Sequence, residues 1–139
     1  VSKRFVTWRG LSAPSLEDFE GITRAAYADL PDAFREMTKS VVIRIEDFPR
    51  EDVLAELELE SEFDLLGLFQ GVGLAQDGAV PQSGQMPNMV TLYRRPILDY
   101  WAEHEETLGH VVTHVLVHEI GHHFGLSDDD MYAIEAASA

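Results

Sequence analysis

Residues 118–128 read His118-Glu119-Ile120-Gly121-His122-His123-Phe124-Gly125-Leu126-Ser127-Asp128, with two histidines four positions apart. On an α-helix that spacing puts them about 40° apart around the axis and roughly 6 Å apart along it, so one face offers both imidazoles to a single metal ion. Zinc accepts neutral imidazole nitrogens. A catalytic zinc keeps three protein ligands and leaves a fourth position to water, whose proton it makes easier to lose. Glu119 adjoins the first ligand, where a carboxylate can take that proton and pass it to a leaving amine. The chemistry expected is metal-assisted hydrolysis, with one zinc per chain and Glu119 as general base.

A third ligand further along the same helix would lie too far from the ion. Gly125, three residues after His122, can take the left-handed conformation that ends a helix and sends the chain back towards the metal. Asp128 is the carboxylate this turn presents, with Asp129, Asp130 and Glu135 as its rivals. His110, His114, His118 and His122 form a stripe at four-residue spacing, yet four ligands to one ion are excluded, because His114 and His122 are separated by about 12 Å of helical rise. His110 and His114 are therefore read as core residues or as supports for the ligands. His123 falls on another face, packed or solvated, and His104, among Glu103, Glu105 and Glu106, reads as a surface residue. The full pattern, His-Glu-x-x-His-x-x-Gly-x-x-Asp, resembles the extended motif of the metzincin zinc proteases, with Asp128 where most members carry a third histidine.

These residues need a helix to hold them. Leu108 to Val117 is an apolar run that can bury a helix over most of its circumference, and the metal helix is expected from about Glu105 to Phe124. A last helix follows from about Ser127 to Ala136, capped by Ser127 or Asp128. Earlier, Leu16, Phe19, Ile22, Ala26, Leu30, Phe34 and Met37 recur at helical spacing, which predicts an amphipathic helix over 15–37, broken near Pro31. Ser40 to Glu46 reads as a strand with Val41, Ile43 and Ile45 on one face, and Arg50 to Glu60 as a short helix. Leu65 to Gly71 and Met89 to Arg94 read as strands, the second stopped at Pro96. Asp77 to Pro87 reads as an exposed loop, and Ile97 to Trp101 as short and helical. Mixed elements with short strand connections give an α+β fold, a small, mostly three-stranded sheet against the central metal helix.

The chain has 139 residues, 45% of them hydrophobic, which suits one domain over 1–139 with a sizeable core. There are no cysteines. That excludes disulfide frameworks, thiolate metal sites and cysteine nucleophiles, and a cytoplasmic address follows as the expectation, since no secretion signal or membrane-spanning stretch is evident. A net charge of −15, with only 10 lysines and arginines, argues against a nucleic-acid partner. The acidic run from Glu46 to Glu62 reads as a solvated face.

The chain resembles, over nearly its whole length, the small bacterial zincin-like metallopeptidases described as minimal zincins. The resemblance rests on Leu65 to Gly71, on Val90 to Ile97, and above all on 118–128. It implies a stripped-down zincin fold, zinc held by His118, His122 and Asp128, Glu119 as general base, and a peptide or protein substrate. In zincins an edge strand beside the metal helix can pair with an extended substrate; either Leu65 to Gln70 or Val90 to Arg94 could serve here. Tyr93, Arg94 and Arg95 are read as packing of an amphipathic strand, with contact to a substrate carbonyl as the alternative. Met131 follows Asp128 by only three residues, earlier than the methionine-containing turn of metzincins, and little chain remains for a second cleft wall. Such a cleft would hold only short or extended peptides, or would need a protein partner to complete it. Two other functions fit the same ligands: a non-catalytic, zinc-stabilised binding module, and a hydrolase of a non-peptide amide.

The protein should bind one zinc per chain, and His118→Ala or His122→Ala should lower the affinity by orders of magnitude. Metal analysis after dialysis checks this; unchanged stoichiometric zinc in either variant would rule out a shared ion.

Overall fold

The computed structural model describes residues 7–71 and 87–138. The expected loop from Asp77 to Pro87 falls almost wholly outside the described residues. Within them the order is α1 (Leu16–Ala28), α2 (Asp32–Met37), β1 (Val42–Glu46), α3 (Glu51–Glu56), β2 (Gly67–Gln70), β3 (Met89–Tyr93), α4 (Arg94–Glu103), α5 (Leu108–His123) and α6 (Asp128–Ala137).

The amphipathic stretch at the start is two helices. Ser15 begins α1 with a capping box, its hydroxyl accepting from the Asp18 amide while the Asp18 carboxylate accepts from the Ser15 amide. Pro31 stands at the N-cap of α2, where a residue with no N–H and a fixed φ starts a helix readily. Phe19, Leu30 and Phe34 are buried, whereas Leu16, on the same periodicity, is largely exposed.

The three strands form one mixed sheet in the order β1-β3-β2, with β1 parallel and β2 antiparallel to β3. Register carries the hydrophobic pattern across it: Ile43 pairs with Val90, Ile45 with Leu92, Phe69 with Val90 and Gly67 with Leu92, so these residues share one face. That face turns to α5, which also touches α1, α4 and α6. In α5, Val111, Val112, Val115, Leu116, Val117 and Ile120 are buried. This helix is the middle of the core, and the fold is the small α+β one expected, with a three-stranded sheet against the central helix.

Several boundaries differ from the sequence reading, each for a local reason. The α3 helix ends at Glu56, and Glu58 takes a positive φ of 56° that closes it. The strand before Pro96 ends at Tyr93, not at the proline, and α4 begins at once at Arg94. Pro96 then lies in the first turn, where its missing N–H removes no intrahelical bond. The metal helix begins at Leu108, because the Thr107 side chain caps it by accepting from the His110 amide. Tyr93 is buried in the central strand, which corrects its placement on an amphipathic surface. Arg94 and Arg95 open α4: Arg94 pairs with Asp47 at 3.0 Å and donates to the Pro14 carbonyl, and Arg95 lies over the Phe48 ring.

Two glycines fix how α6 meets α5. Gly125, at φ 79°, ends α5: the Leu126 amide donates to the Gly121 carbonyl and the Gly125 amide to the His122 carbonyl, the paired bonds of a Schellman turn. Gly121 then receives Met131 of α6. A Cβ at Gly121 would stand 2.6 Å from the Met131 Sδ and 2.9 Å from its Cγ, and Met131 is wholly buried. Gly121→Val should therefore destabilise the protein by about 1–3 kcal/mol through overpacking. Combined with Met131→Ala it should cost less than the two separate losses summed, because the second change removes the obstructing atoms. Urea unfolding of the three variants checks this; strict additivity would mean that the two residues do not compete for space.

Candidate metal centre

The buried side of α5 anchors the helix, and its other side carries the chemistry. His118 and His122 project from consecutive turns, and the Schellman turn brings the start of α6 back alongside them. Ser127 caps α6 with its hydroxyl accepting from the Asp130 amide at 3.0 Å, while the Asp130 carboxylate accepts from the Ser127 amide at 3.1 Å. Asp130 is thereby engaged in the cap. Asp128, the first residue of α6, joins His118 and His122: one ligand atom from each lies within 4.8 Å of the other two. Zinc holds such ligands at about 2.0–2.2 Å, so donors of one ion lie no more than about twice that distance apart. Two imidazoles and a carboxylate are ligand types that zinc takes, and the 4.8 Å bound on their separation is close to that span. His122 and Asp128 are exposed and His118 is half-buried.

His118 has a second set of neighbours. Its Nε2 lies 2.7 Å from one carboxylate oxygen of Glu135, whose other oxygen lies 2.9 Å from Nδ1 of His114. The His114 and His118 rings face each other at 4.1 Å, with a tilt of 32°. His114, His118 and Glu135 thus make another group whose ligand atoms lie within 4.8 Å of one another. Glu135 is seven residues, or two turns, beyond Asp128, so the two carboxylates share a face of α6. Asp129 belongs to neither group.

The remaining histidines separate clearly. His110 is exposed beside Glu106, at 3.3 Å, and so is no core residue. His123 stacks on Phe69 with ring centres 4.3 Å apart, and its pKa is lowered by burial and by the neighbouring His122. His104 is exposed and stacks on Tyr100. Tyr132, which the sequence reading passed over, lies with its ring 5.5 Å from that of His118 and is 57% exposed. Helical spacing could have found it, since it follows Asp128 by one turn.

Glu119 is half-buried, and burial pushes its carboxyl up to about 7. Part of its cover is β2: a Cβ at Gly67 would come within 3.1 Å of the Glu119 Cγ and 2.8 Å of a Val115 methyl. Only a glycine lets the strand lie this close to the helix. Tyr93 is raised to about 12 by burial first and then by the charges of Glu46 and Glu119, with Arg44 opposing.

Residues 38–137, from just before β1 to the last residue of α6, match the family model of the zincin-like metallopeptidases, and the chain belongs to that family. No curated protein matches the chain.

The raised pKa of Glu119 has a consequence for stability. In the unfolded chain the carboxyl loses its proton near its ordinary 4.5, whereas the folded, metal-free protein holds it to about 7. Between these values the folded state binds more protons at this site, so the contribution of Glu119 to stability is full below about 4.5, falls as pH rises to about 7, and then levels off. Urea unfolding in chelator at several pH values should show this slope in the parent and lose that part of it in Glu119→Gln. Identical pH dependence in the two proteins would contradict the burial of an ionisable Glu119.

Proposed function

We propose that this protein is a zinc-dependent peptidase using one zinc per chain, held by His118, His122 and Asp128, with Glu119 as general base. The observation that carries this reading is the convergence within 4.8 Å of His118 and His122, on consecutive turns of α5 either side of the half-buried Glu119, with Asp128 at the start of α6. Zinc bound there would polarise a carbonyl and lower the pKa of water towards neutrality. Glu119 takes a proton from the attacking water and returns it to the amine nitrogen as the C–N bond breaks. Its burial favours this role, because a carboxyl poised near neutral pH both accepts and releases a proton easily.

The sheet suggests how an extended peptide is held. β3 has hydrogen-bonded partners on both sides, so it cannot accept another strand. Among the described residues β2 is an edge, and it lies directly on α5 beside Glu119. A substrate backbone pairing with the free side of β2 would run past the metal centre. That selects β2 over β3. Gly67 is then required twice, for the fit of β2 on the helix and for the position of any chain bound to it.

A peptide-library digest by the zinc-loaded protein, with Glu119→Gln as control, tests the reading. Glutamine keeps the shape but cannot accept the proton, so the variant should retain fold and zinc while turnover drops by about 10²–10⁴. Cleavage by the variant at the parental rate would exclude catalysis through Glu119, and a zinc-loaded parent that cleaves nothing would leave the non-catalytic binding module as the better account.

A further inference from the structure

His118 stands between two carboxylates, and the two groups it joins are not equivalent. Asp128 lies in the first turn of α6 with Asp129 and Asp130, where acidic side chains are favoured by the helix dipole whether or not a metal is bound. Glu135 has no such reason to be there. It stands near the other end of α6, where the dipole disfavours a negative charge, and its side chain is only 10% exposed. Among the described residues, the side-chain partners of its carboxylate are His114 and His118. A largely buried carboxylate at the wrong end of a helix, bracketed by two imidazoles, is an arrangement that a cation would stabilise.

We propose that His114, His118 and Glu135 form a second seat for a divalent cation of zinc's class, alternative to the seat at His118, His122 and Asp128. The two cannot be filled together. A neutral imidazole has one nitrogen with a free lone pair, so His118 serves one ion at a time. The seats also differ in reach of the base. Around the α5 axis Glu119 lies about 60° from His122 but about 140° from His114, so an ion in the second seat is turned away from it. The second seat opens instead on a cavity of about 590 Å³ walled by His114, Glu135, Val111, Leu66 and Tyr132. The ion there has an approach from solvent and is turned away from Glu119. Filling this seat withdraws His118 from the other, which makes it a holding position that competes with the catalytic one.

Cobalt(II) titration of the full chain, followed by visible absorption, tests this. The parent should take up one equivalent. His122→Asn combined with Asp128→Asn should still take up one, with a changed absorption spectrum, and adding His114→Ala or Glu135→Gln to that pair should abolish uptake. His122→Gln alone, which removes one ligand from the first seat only, serves where the double variant does not fold, as judged by circular dichroism. A folded variant lacking the first seat that binds no cobalt would overturn the second seat, and two equivalents in the parent would overturn the exclusion. Turnover is not read in this titration, so the peptidase assignment and the second seat fail separately.

Discussion

Everything at the metal centre depends on how closely α6 can approach α5. Each candidate donor set draws its histidines from one helix and its carboxylate from the other, so a shift of either helix by an ångström or two would separate them. The approach is fixed at two points. The turn at Gly125 sets the direction in which the chain leaves α5, and the seat of Met131 against Gly121 sets the distance. Neither glycine touches a metal. Both are needed because a side chain would occupy the volume, or forbid the backbone angle, on which the geometry rests.

The same helix has to be core and site at once. Most of its circumference is buried by valine, leucine and isoleucine, which leaves a narrow strip for polar groups. Four-residue spacing keeps His110, His114, His118 and His122 within that strip, and the gradient of burial along it separates their roles. His110, near the start, pairs with an exposed glutamate. His118, nearer the centre, is 16% exposed and contacts Glu135 and Tyr132 of α6. Burial at the centre gives electrostatic interactions their strength, since each charge there is poorly screened by water.

Much of this was legible in the chain. The His118 to Asp128 pattern located the helix, its stop and both flanking carboxylates, and the alternation in Val41 to Ile45 gave a strand with the correct buried face. Local signals failed where a tertiary contact decided. Pro96 read as a stop, although the first turn of a helix tolerates it. Gly121 was assigned no role in the motif, yet a glycine inside a helix costs about 1 kcal/mol relative to alanine and so called for a packing reason. Glu135 was visible only as a rival ligand. Its link to His114 joins residues 21 positions apart and depends on the angle between two helices, which no periodicity encodes.

The placement of β2 couples Glu119, the proposed base, to the surface where a substrate would lie. Gly67 brings the strand against Val115 and Glu119, and that contact helps to exclude water from the carboxyl. An extended chain laid along the free side of β2 would exclude more, raising the proton affinity of Glu119 further, while a cation held by His118 and His122 would act in the opposite direction. The two influences have opposite signs and act on the same carboxylate. A proton shuttle needs such a balance, because a base held far from neutrality in either direction would take the proton and keep it, or never take it at all. In this fold the shielding of Glu119 is set by a strand with one residue that has no side chain, resting on the helix that also carries the candidate ligands His118 and His122.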